Sequence, residues 1–157
     1  MVLLVSQVAA PALHLTGSAA RIAFYVWLAT FPMIVGIAWM NRRAPGMVVL
    51  AAGLMLNFVV IAANGGMPVF GAAVAIASPS AHYVSIPVSD FVHVIGTTAT
   101  RLPWLADVVP LSGPAWLRLV ASPGDLLLCV GMAAFLSGVN GEAAPATPAG
   151  TNKQESA

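Results

Sequence analysis

Charge is what this sequence has least of. Only 7% of its 157 residues are Asp, Glu, Lys or Arg, while 59% are hydrophobic; a soluble domain carries roughly 25% charged residues. Residues 44–89 contain no charge at all. A soluble helical protein needs a polar face on every surface helix, and a stretch of that length without charge excludes one. The charges that exist balance to +1, so no electrostatic footprint for nucleic acid or an acidic partner is present. Cysteine is also scarce: Cys129 stands alone, which excludes an intrachain disulfide and a thiolate metal cluster. The apolar N-terminus lacks the basic region of a secretory signal and is read as retained helix.

Motifs for chemistry are missing as well. The sequence has no Gly-x-Ser-x-Gly, no His-Glu-x-x-His and no phosphate-cradling Gly-Lys-Ser/Thr loop. No pair of histidines falls within a span to hold haem, and His14 is alone in its segment. The expectation is a protein that is not an enzyme, with no catalytic residues, no metal site and no cofactor.

What is there is hydrocarbon-seeking helix. Crossing a bilayer takes about 20 apolar residues, and residues 22–40 meet that need between Arg21 and the cluster Asn41, Arg42, Arg43. Pro32 within this span is expected to kink it. A second span, 47–63, stops at Asn64, Gly65, Gly66, Met67, Pro68, where Gly and Pro end helices. A third, 123–139, opens on Ser122, Pro123, Gly124, Asp125, the form of an N-cap followed by proline and an acid in the first turn. Residues 2–15 make a shorter helical segment broken by Pro11. The reading is an all-α, polytopic transmembrane protein: a membrane domain over 1–140 with three clear spans, the short N-terminal segment, a long outer interfacial segment over 64–121 and a disordered tail over 141–157. By the positive-inside rule, Arg42 and Arg43 place their loop in the cytoplasm of a bacterial inner-membrane protein. Parity then puts 64–121 outside and the C-terminus inside.

Helices in lipid associate through small residues and polar glue. Gly124, Gly131 and Gly138 recur every seven residues, with Ala134 on the same face. Gly46, Gly53 and Asn57 share a face of the second span, and an amide such as Asn57 in hydrocarbon needs a partner. The outer segment carries only Asp90, Arg101, Asp107 and Arg118 as charges, beside Phe70, Tyr83, Phe91, Trp104 and Trp116. That composition suits an interfacial lid. Within it a short helix is expected over 88–95, which would turn Asp90 and His93 the same way, as a hydrogen-bonded pair, a metal pair or, most simply, a polar face.

Three strings carry a resemblance: Asn64 to Val69 (Asn-Gly-Gly-Met-Pro-Val), then His93 followed by Thr100 to Leu111 (Thr-Arg-Leu-Pro-Trp-Leu-Ala-Asp-Val-Val-Pro-Leu), then Ser122 to Asp125. In this order and spacing they resemble DUF5317, a bacterial membrane family of unknown function, over residues 44–139. The resemblance implies no activity. Its members show a longer N-terminal part, so this chain starts inside what looks like the second helix, and its Asn-Gly-Gly segment is one residue short before Met67. Physically, these residues suggest an outer polar cluster of Asn64, His93, Arg101, Asp107 and Asp125, with Arg101 and Asp107 positioned to pair. Two functions are compatible with this sequence. One is an accessory or assembly subunit whose glycine stripes pack against other membrane subunits. The other is a small membrane protein holding a lipid or quinone-like apolar ligand between helices and lid.

Overall fold

The computed structural model describes residues 15–79, 90–114 and 118–142. All but the last residue of the expected N-terminal segment 2–15, and the tail beyond Glu142, lie outside them.

Two apolar helices form the hairpin expected from the hydropathy. Helix α1, Gly17–Met40, and helix α2, Met47–Asn64, are both long and apolar enough to cross a membrane. The first starts earlier than the charge-free stretch because Arg21 sits on an exposed face, where a charge does not end a helix. Asn41 closes α1, its backbone N–H and its side-chain amide both donating to the Ile37 carbonyl. Gly65 ends α2 in the left-handed region at φ 71°, a conformation that costs an L-residue with a Cβ about 1 kcal/mol or more. The buried residues of α1, Phe24, Trp27, Phe31, Ile34 and Ala38, recur at three- and four-residue steps and pack on Leu54, Val60 and Ile61 of α2.

The chain then builds a loop layer over one end of the hairpin. Strand β1, Met67–Val69, leads into the short helix α3, Gly71–Ala77. Strand β2, His93–Ile95, pairs parallel with β1 in the register Met67↔His93 and Val69↔Ile95. A 3-10 turn, Pro103–Leu105, precedes the hairpin of β3, Val109–Leu111, and β4, Leu119–Ala121. These strands correct the all-α expectation: the protein is mostly helical with two small two-stranded sheets. They also correct the helix expected over 88–95, of which the described part is irregular backbone followed by β2. The helix loses because β1 offers a row of unpaired backbone groups, and Met67 N–H donates to Val92 O while Gly96 N–H donates to Val69 O.

Helix α4, Pro123–Glu142, runs back along α2. Its apolar part, Pro123–Gly138, is shorter than the other two helices. The two glycine stripes face each other: a Cβ on Gly53 would overlap the Gly124 carbonyl, one on Gly46 would overlap the Gly131 carbonyl, and one on Gly138 would press on Pro45. Bare backbone on both sides lets the axes come close enough for van der Waals contact along the whole pair. Helix α2 is thus central, with α1 on one flank and α4 on the other.

Candidate functional site

A cleft of about 550 Å³ runs between α1 and α4, with α2 as its floor. Trp27, Phe31 and Ile34 line one wall; Leu128, Met132 and Phe135 line the other; Leu50, Leu54 and Ile61 form the base. One end is polar. There Asn57, His93, Asp107 and Asp125 meet beneath Met67 and Val92 of the loop layer.

Each polar group is placed by a local device. Ser122 caps α4: Asp125 N–H donates to Ser122 Oγ at 3.1 Å, and Ser122 N–H donates back to Asp125 Oδ2 at 3.0 Å, a capping box with Asp in the third helical position. Asn57 closes the network from the middle of α2, donating to Asp125 Oδ1 at 2.8 Å and accepting from Ser122 Oγ at 2.9 Å. The amide expected to serve as helix glue therefore holds α2 to the first turn of α4, and both Asp125 oxygens are engaged.

Asp107 arrives by backbone pairing. Its N–H donates to Pro68 O at 3.0 Å, and it bridges Val69 on the side of β1 opposite β2. β1 thus carries His93 on one flank and Asp107 on the other. Burial pushes the Asp107 carboxyl up to about 7, with the Asp125 charge adding to the rise and His93 opposing it. Asp90 folds back so that its Oδ1 accepts from the N–H groups of Val92 and His93, and its Oδ2 sits 2.8 Å from His93 Nδ1. Partial burial pulls this carboxyl upward, but the hydrogen bonds from the His93 side chain and the Val92 and His93 backbone together outweigh it and leave the group below its usual value. The ionised Asp90 takes the Nδ1 proton as its hydrogen bond, which leaves His93 Nε2 as the imidazole's second polar atom.

Of the expected outer cluster, His93, Asp107 and Asp125 come together at the cleft. Asn64 and Arg101 form a separate contact: Asn64 Nδ2 donates to Arg101 O at 2.9 Å, and Arg101 N–H donates to Asn64 Oδ1 at 2.8 Å. This corrects the expected Arg101–Asp107 pair. Arg101 is exposed and engages through its main chain, while Asp107 is buried at 6% exposure and makes no ion pair among the described residues. Asn57 and Ser122 join this end of the cleft, although the sequence presents them separately, as a packing residue and a cap. No group of three metal-ligating side chains occurs among the described residues.

An apolar helical hairpin, a third helix zipped to it through glycine and a loop layer closing a part-polar cleft define a small helical protein with a ligand-sized cleft. The chain belongs to DUF5317, a family of unknown function, whose sequence model matches residues 1–137. A Thermotoga maritima protein described as "Uncharacterized protein" is 33% identical over 99 residues, covering 60% of this chain and 52% of that one. The chain thus spans about half the length of the curated relative it matches. No solved structure matches it.

Proposed function

We propose that this is a non-catalytic, multi-pass membrane protein that binds an amphipathic molecule in the cleft between α1 and α4. The observation that carries the reading is the cleft itself, of a volume typical of small-molecule sites, with apolar walls and convergent polar groups at one end. From Met47 to Ile61 its floor extends about 20 Å at helical rise, room for the tail of a lipid. In hydrocarbon, an apolar groove alone would be filled by any acyl chain; polar groups at one end fix which end a head occupies.

The membrane setting is supported by the outward faces. Ile22, Tyr25, Val26, Met33, Met55, Val59, Val130 and Leu136 are all exposed, and apolar surface on this scale suits lipid rather than water. Helix α4 follows α2 in depth because the two stay in contact from Gly53 and Gly124 to Pro45 and Gly138, which favours a third crossing. By the positive-inside rule, Arg42 and Arg43 in the α1–α2 turn favour the cytoplasmic side for that end, with the polar end of the cleft on the outer side.

The glycine stripes that an accessory subunit would offer to other subunits pack on one another within the chain, which favours ligand binding in the cleft. Purification of the full chain in mild detergent, followed by solvent extraction and mass spectrometry, tests the proposal. A stoichiometric amphipathic species is expected, and its loss in Leu128→Trp, which fills the cleft. Reproducible co-purification of a larger membrane partner with no bound small molecule would reverse the preference.

A further inference from the structure

Asp107 is the polar group in the cleft that has nothing to bond to. The residue is only 6% exposed, it lines the cleft, and its carboxyl makes no hydrogen bond among the described residues. Asp125, by contrast, accepts from Asn57 Nδ2 and from the Ser122 N–H. Nor is the Asp107 carboxyl sealed in. Among the described side chains, the buried polar atom that is both unpartnered and closed to any approaching group is Trp27 Nε1. The Asp107 oxygens, equally unpartnered, therefore open to the cleft they line. A carboxyl largely removed from water and given no donor in exchange is costly, and a proton or a cation must answer it.

The charges around Asp107 favour a cation. No Lys or Arg lines the cleft, and α1 and α2 bring no titratable group to it. Helix α4 brings Asp125, whose charge pushes the Asp107 carboxyl up, and β2 brings His93, which opposes this to a smaller extent. Any positive charge on His93 is met at once by Asp90, whose Oδ2 lies 2.8 Å from Nδ1, so the pair adds no net positive charge to this end. A proton answers Asp107 up to about pH 7. Above it an ammonium can take the proton's place, with the carboxyl ionised and paired. His93 suits the same head: with its Nδ1–H given to Asp90, the neutral imidazole keeps an Nε2 lone pair that makes no hydrogen bond among the described residues. A hydroxyl has one proton to offer these acceptors, whereas a primary ammonium has several.

We infer that the polar end of the cleft takes a primary ammonium carried on an apolar tail, with the ionised Asp107 carboxylate as its counter-ion and His93 Nε2 as a second acceptor. This rests on the cleft being a ligand site and names the head group; the proton that held Asp107 neutral leaves to solvent as the ammonium enters.

The test equilibrates the immobilised full chain, in amine-free buffer at pH 5 and pH 8, with nonionic micelles carrying equal trace amounts of dodecylamine and dodecanol. Retained probe is extracted after washing and counted by mass spectrometry. At pH 8 the amine is expected to exceed the alcohol by about tenfold. An alkylamine, which titrates near lysine, stays charged at both pH values. Asp107 does not, so amine retention is expected to fall about tenfold or more from pH 8 to pH 5 while dodecanol stays level. Asp107→Asn is expected to lose both the amine preference and its pH dependence, with unchanged dodecanol retention showing that the variant's cleft is intact. Leu128→Trp is expected to lower retention of both probes. Equal retention of amine and alcohol at both pH values would overturn the head assignment and leave the cleft a ligand site. An amine preference that survives Asp107→Asn would remove the counter-ion and overturn the inference. Retention of neither probe, or retention indifferent to Leu128→Trp, would sink the cleft as a ligand site and the inference with it.

Discussion

Asp107 is a carboxyl that the fold holds where its charge is poorly solvated, and this makes stability depend on pH in a stated direction. Its folded value of about 7 lies above the ordinary 3.8. Below about pH 4 the group is protonated in both states; between there and about pH 7 the unfolded chain releases the proton first, so the native state weakens as pH rises. At about 1.4 kcal/mol per pKa unit, the loss is on the order of 4 kcal/mol. Asp107→Asn is therefore expected to melt higher than the natural protein at pH 8 and close to it at pH 4, measured by thermal unfolding in detergent. A lower melting point at pH 8 would mean that the ionised carboxyl is stabilised by something the geometry does not provide. Asn57 makes a different kind of contribution. Removing Asn57 or Asp125 leaves the other's polar atoms stranded, so Asn57→Ala and Asp125→Ala should be strongly non-additive, with a coupling of about 1–2 kcal/mol; simple additivity would deny the hydrogen bond between them.

At the scale of elements, the glycines of α2 and α4 are valuable for what they omit. A side chain at Gly131 would enter the backbone of Gly46 and Leu50, so Gly131→Leu is expected to cost about 3 kcal/mol or more by overpacking, whereas Val130→Leu on the exposed face should be nearly neutral. Equal melting temperatures for the two would remove the seam. Elements were legible in the sequence to the extent that their cause was local. The helix positions followed from long apolar runs, and the cap at Ser122 from its own tetrapeptide. The strands did not, because β1 and β2 are three residues each and exist only by finding one another across a long connection. His93 shows how the failure occurs: its three-residue spacing from Asp90 allows a hydrogen-bonded pair only as one alternative behind a simple polar face, and the pair forms on an Asx-type turn entering a strand rather than on a helix.

For the molecule as a whole, the proposed membrane orientation can be measured. A reporter fused after Val139 should read cytoplasmic, and one inserted near Ala77 should read external; the opposite pattern would overturn the topology. The cleft was not legible at this scale. It comes from α1 and α4 both packing on α2 without closing on each other, a relation between three helices that no single run of residues encodes.

The close fit of α2 to α4 has a mechanical consequence. Backbones in direct contact along their length, pinned at one end by Asn57, Ser122 and Asp125, have little freedom to slide or separate. Helix α1 is joined to α2 by the turn over residues 41–46 and packs on it through Phe24, Trp27, Phe31 and Ile34. A swing of α1 about that turn, like a leaf on a hinge, widens the groove without parting α2 from α4, with the greatest travel at the end farthest from the turn.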